Sequence, residues 1–191
     1  MDSLPVIFYE SVASSISSLK DSFICWHNEN PTFTALERLN GNFGQCSQKL
    51  REERFCLNVD LIFDSDKVYL SSAQCPCLQN GKKPCSNVFE VLKKPEKINL
   101  VLIHMNTTFP SYLNQEAFQP IANLEKLFLS LQNVRTSFQA YNVDFSMILQ
   151  YPSRWMQNAL MGFIVQCKID KNASEIIQGN KNIHVMDFPE I

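Results

Sequence analysis

The residues from 55 onward constrain the fold most, because the hydrophobic period changes there. Phe55, Leu57, Val59, Leu61 and Phe63 alternate with Cys56, Asn58, Asp60 and Ile62; after Asp64-Ser65-Asp66, residues 67–72 alternate again around Val68 and Leu70. Successive strand side chains point to opposite faces, so the pattern predicts a β-hairpin closed by a short polar turn. Upstream the period is helical. Phe8, Val12, Ile16 and Leu19 share one face of a helix expected over 3–19, with Ser3 as its cap and Pro5 in the first turn, where a missing N–H is harmless. Leu36, Leu39, Phe43, Cys46 and Leu50 form a second stripe. Gly41 and Gly44 lie inside it. Each costs a helix about 1 kcal/mol relative to alanine, which predicts a break near Asn40-Gly41. Residues 20–32, around Phe23-Ile24-Cys25-Trp26, read as a loop or short strand.

Residues 74–84 carry Pro76, Gly81 and Pro84 and read as an exposed loop. Beyond it the pattern predicts strands at 98–103, 124–131, 163–169 and 183–188. Helical stretches are expected at 112–121, at 145–149 and 154–160 around Pro152, and at 173–178, while 134–143 fits either state. Alternating strands and helices predict a parallel sheet backed by helices. Leu124-x-x-Leu127-x-Leu129 has leucine-rich spacing, but the expected strand centres Leu102, Leu129, Val165 and Val185 are unequally spaced. An open α/β sheet and a degenerate leucine-rich-like stack both fit. The expected class is α/β: N-terminal helices and a β-hairpin, then an irregular leucine-rich-like α/β sheet. The expected division is a helical segment over 1–53 and an α/β module over 54–191, with loop 74–87 as a sub-boundary.

A chain of 191 residues with 45% hydrophobic content and 14 phenylalanines can bury a core without staples and is too apolar for disorder. A net charge of −2 argues against a polycationic nucleic-acid or membrane-surface binder. The apolar run at 159–165 falls far short of the ~18 residues of a membrane span. No stretch near Met1 has the pattern of a secretory signal, and the seven cysteines are an odd number. These features together predict a soluble protein of the cytoplasm or nucleus with reduced thiols. The glycosylation patterns Asn106-Thr107-Thr108 and Asn172-Ala173-Ser174 carry little weight against that.

Cys75-Pro76-Cys77 and Cys85, with Cys56 on the preceding strand, are the sharpest candidate site: four sulfurs for a tetrahedral zinc. The paired C-x-x-C halves of structural zinc sites are lacking, so thiols in a loop are the competing reading. His27, His104 and His184 belong to no catalytic motif. His104 and His184 fall in apolar strands, where a hydrogen-bonded structural histidine is the common outcome. Five glycines leave no phosphate-cradling loop. Turn chemistry accounts for Asp64 and Asp66, which with Asp60 would otherwise suggest a metal triad. Lys82, Lys83, Lys93, Lys94 and Lys97 form a basic run diluted by Glu90 and Glu96. With zinc, that run supports an alternative reading as a small zinc-stabilised or nucleic-acid-associated domain. Nothing points to an enzyme. Trp26, Tyr112, Tyr141, Tyr151 and Trp155 exceed what a small core hides in full, and such residues anchor protein interfaces, although for each one singly partial burial at the core edge is the commoner outcome.

The opening from Met1 to Val12, with Leu4-Pro5 at the start of its helix, and the stretch from Leu36 to Cys46 resemble the nematode-expanded families that begin with a divergent F-box-like segment. In such families an F-box-associated or leucine-rich-like α/β module follows. The resemblance implies a non-enzymatic substrate receptor. Leu4, Pro5, Phe8, Leu36, Leu39 and Cys46 would face the adaptor subunit of a cullin-RING ubiquitin ligase, and the C-terminal part would grip a target protein.

Overall fold

The part of the second helical stripe from Phe43 to Leu50 is helix and the alternating run from Phe55 is strand, as their periods demand; Leu36 and Leu39 lie outside the described residues. In a computed structural model describing residues 5–9, 11–12, 38, 41–64, 67–76, 83–85, 87–109, 115–151, 154–157 and 159–186, residues 6–9 and 11–12 are helical. Helix α1 (Asn42–Glu53) begins directly after Gly41, whose φ of 80° makes the expected break. Strand β1 (Phe55–Asp64) pairs antiparallel with β2 (Lys67–Pro76), in register from Phe55 opposite Pro76 to Asp64 opposite Lys67. Strand β3 (Lys83–Pro84) adds to the outer edge of β2, so both ends of the expected 74–84 loop are strand. Helix α2 (Val88–Leu92) leads to β4 (Ile98–Asn106), which pairs parallel with β1. Of the helix expected at 112–121, the described part is a 3-10 turn, Gln115–Ala117, followed by β5 (Gln119–Pro120), which pairs with β2.

Residues 124–131 depart most from expectation. They form helix α3 (Leu124–Leu131), not a strand. The Asn123 side-chain oxygen caps it by accepting the Lys126 N–H at 2.8 Å. Leu124, Leu127, Phe128 and Leu131 are buried at helical spacing, whereas Leu129, expected to point into a core, is 47% exposed. The strand of this unit is β6 (Thr136–Tyr141), inside the stretch that fitted either state. Helices α4 (Phe145–Leu149) and α5 (Arg154–Gln157) lead to β7 (Met161–Val165), which starts and ends earlier than the expected 163–169. Helix α6 (Lys171–Gln178) and strand β8 (Ile183–Met186) complete the described chain.

Among the described residues the strands form one eight-stranded sheet in the order β3-β2-β1-β4-β6-β7-β8, with β5 on β2. The 74–87 segment therefore does not separate two sheets. From β1 through β4 and β6 to β8, each parallel strand is added on the same side of its predecessor. With the right-handed crossover that such parallel units adopt as a rule, this order brings the connecting helices to one face of the sheet. The core agrees. Leu57, Val59 and Leu61 of β1, Val101, Ile103 and Met105 of β4, and Phe138, Ala140 and Ile164 share one buried cluster with the apolar residues of α2 to α6. Trp155 lies inside it, 1% exposed, stacked on Phe128 at 5.1 Å and edge-on to Phe138 at 5.5 Å. It is a core residue, more deeply buried than the core-edge position expected of its residue type.

The last units repeat a backbone detail. Asn142 and Gln166 directly follow the paired ends of β6 and β7 and hold φ values of 54° and 51°. Each donates its N–H to the next strand, Asn142 to Val165 at 3.1 Å and Gln166 to Met186 at 3.2 Å.

Candidate functional site: the second face of the sheet

Because strand side chains alternate, every residue between two core positions points to the face opposite helices α2 to α6. Pairing aligns these residues across the sheet. Ser71 lies opposite Asp60, Asp60 beside His104, His104 beside Gln139, Gln139 beside Phe163 and Phe163 beside His184. The adjoining row carries Tyr69, Ile62, Asn106, Tyr141, Val165 and Met186. In the first row Ser71, Asp60, His104, Gln139 and Phe163 are half-buried and His184 is exposed; in the second Ile62 and Val165 are buried and Tyr141 is exposed. Over the β1–β2 end, Tyr69 meets Phe109 at 5.7 Å, and Phe109 meets Phe118 edge-on at 5.2 Å, forming an aromatic cover.

Two side-chain contacts organise the row. His104 Nδ1 lies 2.9 Å from Asp60 Oδ1. An ionised carboxylate only accepts, so the Nδ1–H donates and the ring is held upright on the sheet. This is the hydrogen-bonded histidine expected from its apolar strand. Farther along, Phe163 and His184 stack at 5.6 Å with 27° between their planes. An oriented imidazole can serve as a general base when a nucleophile adjoins it. Here the hydroxyl of the row, on Ser71, adjoins the carboxylate, and Gln139 adjoins the imidazole. The row therefore offers hydrogen-bonding and stacking groups side by side across four strands.

The other sequence candidates scatter. Pro5 and Phe8 are exposed, but Cys46 is buried at 6% exposure, so its side chain is not presented to an adaptor. Leu4, Leu36 and Leu39 lie outside the described residues. On the first helix Tyr9, not Phe8, is the inward residue, at 4% exposure. The four-sulfur site does not form as drawn. Cys56 is disulfide-bonded, which removes its thiolate and contradicts the expectation of wholly reduced thiols. Cys75 faces the same way as Cys56, but Cys85 is tied by its N–H to Ser72 O at 2.8 Å, and Ser72 pairs with Val59 of the core face. Cys77 lies outside the described residues. Among those residues no group of three or more His, Cys, Asp or Glu is placed to hold a metal.

Of the basic run, Lys93 is engaged by Glu90 at 2.6 Å, and the lysine holds the Glu90 carboxyl below its ordinary pKa. Lys82 lies outside the described residues, as do His27, Asp66, Trp26 and Tyr112. Asp64 is exposed at the end of the hairpin, opposite Lys67. No described helix is long and apolar enough to cross a membrane. No protein family, curated protein or solved structure matches the chain.

Gln139 and Phe163 were invisible as site residues in the sequence. Their membership depends on β4, β6 and β7 pairing in a single register, and single-strand periodicity carries no register.

Proposed function

We propose that this chain is a non-enzymatic protein-interaction module, an F-box-type substrate receptor of a cullin-RING ubiquitin ligase acting in the cytoplasm or nucleus. One observation carries the reading. Val6, Ile7 and Phe8 on the N-terminal helical turn are 54%, 73% and 46% exposed, while the next residue, Tyr9, is buried edge-on against Phe43 of α1 at 6.0 Å. A short apolar turn held in place by a buried neighbour suits insertion into a groove of an adaptor subunit. The half-buried and exposed groups on the second face, Gln139, Phe163, Tyr141 and His184, are the surface left for a target polypeptide. They combine aromatic area with adaptable polar contacts, the chemistry of protein recognition.

Calorimetric titration of the full chain with the ligase adaptor tests this. Wild type should bind, and Ile7→Asp should weaken binding by at least about 30-fold, the loss expected for a central apolar anchor, with an unchanged circular dichroism spectrum. Absence of wild-type binding overturns the adaptor role, and so does equal binding by the variant.

A further inference from the structure

The two edges of the sheet are built differently. Beyond β2 lie only β3 (Lys83–Pro84) and β5 (Gln119–Pro120), each two residues long and each ending in a proline, which has no N–H to offer a further strand. Short edge strands, lysine and proline protect an edge against pairing with another chain. At the other edge β8 (Ile183–Met186) reads Ile-His-Val-Met, without proline, lysine or acidic residue. Among the described residues no strand lies beyond it. Val185 is 43% exposed although it pairs with Ile164 of the buried cluster. The ladder shows which backbone groups β8 presents. Gly162 N–H donates to Asn182 O at 2.9 Å and Gln166 N–H to Met186 O at 3.2 Å, so the even-numbered residues face β7. Alternation turns the odd-numbered ones outward. The Ile183 N–H donates to Asn180 O at 3.1 Å, whereas Val185 directs both its N–H and its C=O away from β7.

We propose that β8 pairs antiparallel with β8 of a second copy of this chain, about a two-fold axis at Val185, joining two sheets into one. In an antiparallel pair, opposed residues exchange either both N–H···O bonds or none, and a two-fold axis sets one residue against its own copy. Val185, with both groups outward, meets that requirement. Each Val185 N–H donates to Val185 O of the second copy, and the two exposed valine side chains meet on the helix-bearing face. On the second face His184 comes opposite Met186 of the second copy, so the two histidines are not opposed. Ile183–Met186 brings no like charges together. Symmetry supplies the matching outward residue that a foreign strand would have to provide from its own sequence. The pairing uses none of Val6, Ile7 and Phe8, so it stands independently of adaptor binding.

Sedimentation equilibrium of the full chain at concentrations up to about 0.5 mM tests it. Wild type should show a monomer–dimer equilibrium. Val185→Lys opposes two ammonium groups, and Val185→Pro removes the outward N–H while leaving the bonds of His184 and Met186 to β7. Each should raise the dissociation constant at least about tenfold with an unchanged circular dichroism spectrum. Val185→Lys, which keeps the backbone intact, carries the test if Val185→Pro does not fold. Lys83→Ala, at the opposite edge, should match wild type. Val185→Cys should oxidise to a dimer linked through the two introduced thiols, because opposed Cα atoms in such a pair are about 5.5 Å apart, within disulfide range. Wild type that stays monomeric at every concentration overturns the proposal and leaves the edge to a foreign strand. A dimer unaffected by Val185→Lys overturns it too, as does peptide mapping of Val185→Cys that finds no link between the introduced thiols.

Discussion

Cys167 shows how a side chain's surroundings set its chemistry. Its sulfur lies 3.4 Å from both Ala140 O and Val165 O in the loop after β7. Burial pushes its pKa up, outweighing the hydrogen bonds to Val143, Val165 and Asn142, which act in the opposite direction. The folded chain keeps this thiol protonated at pH values where the unfolded chain releases the proton. That contribution to stability is fully present below the ordinary thiol pKa and is lost as pH rises toward the higher folded value. Two outcomes follow at mildly alkaline pH: Cys167 should alkylate more slowly in the native chain than in urea, and the urea midpoint should fall less in Cys167→Ser than in wild type as pH is raised. Equal alkylation rates in the two states would show that burial does not protect the thiol. In the sequence Cys167 was one of seven cysteines without context. The register of β6 and β7 supplies its environment.

At the scale of elements, α3 separates what periodicity reveals from what it leaves open. Leu124 and Leu127 are compatible both with a helix, where Leu131 follows them, and with leucine-rich spacing, where Leu129 does, because a short apolar segment satisfies both templates. Local chemistry decides. The Asn123 side chain accepts the Lys126 N–H, and no β-branched residue occurs in Leu124–Leu131 to resist helix formation. Asn123→Ala should therefore destabilise the fold by about 1 kcal/mol, read as a lower urea midpoint with unchanged slope. A similar loss at Asp170, whose carboxylate accepts the Ala173 N–H at 2.7 Å at the start of α6, would show that caps act alike along the chain. The hairpin was legible because its alternation is long, over Phe55–Asp64, and strictly two-fold until Ile62-Phe63. Strand β6 was not. Its buried Thr136, Phe138 and Ala140 alternate over too few residues to exclude a helix.

For the whole molecule, one apolar cluster reaches from Leu57 in β1 to Ile183 in β8 and includes residues of every helix from α2 to α6. A core without an internal division predicts a single cooperative transition for residues 55–186. Far-UV circular dichroism and Cys167 alkylation should report the same urea midpoint; an earlier transition in either would divide the module. Tight fits inside this core support that expectation. Gly162 on β7 leaves no room for a side chain, since an added Cβ would land on the Phe138 ring. Composition and period alone determined that the chain is apolar, that helices precede a hairpin and that strands alternate with helices, because these follow from local spacing along the backbone. Only the tertiary structure decided that the parallel strands are added in chain order and their helices share one face. It also aligned Asp60, His104, Gln139, Phe163 and His184 in one row and set Cys75 against Cys56. Each of these depends on which strands pair and in what register, and that is settled by the simultaneous burial of residues far apart in the chain.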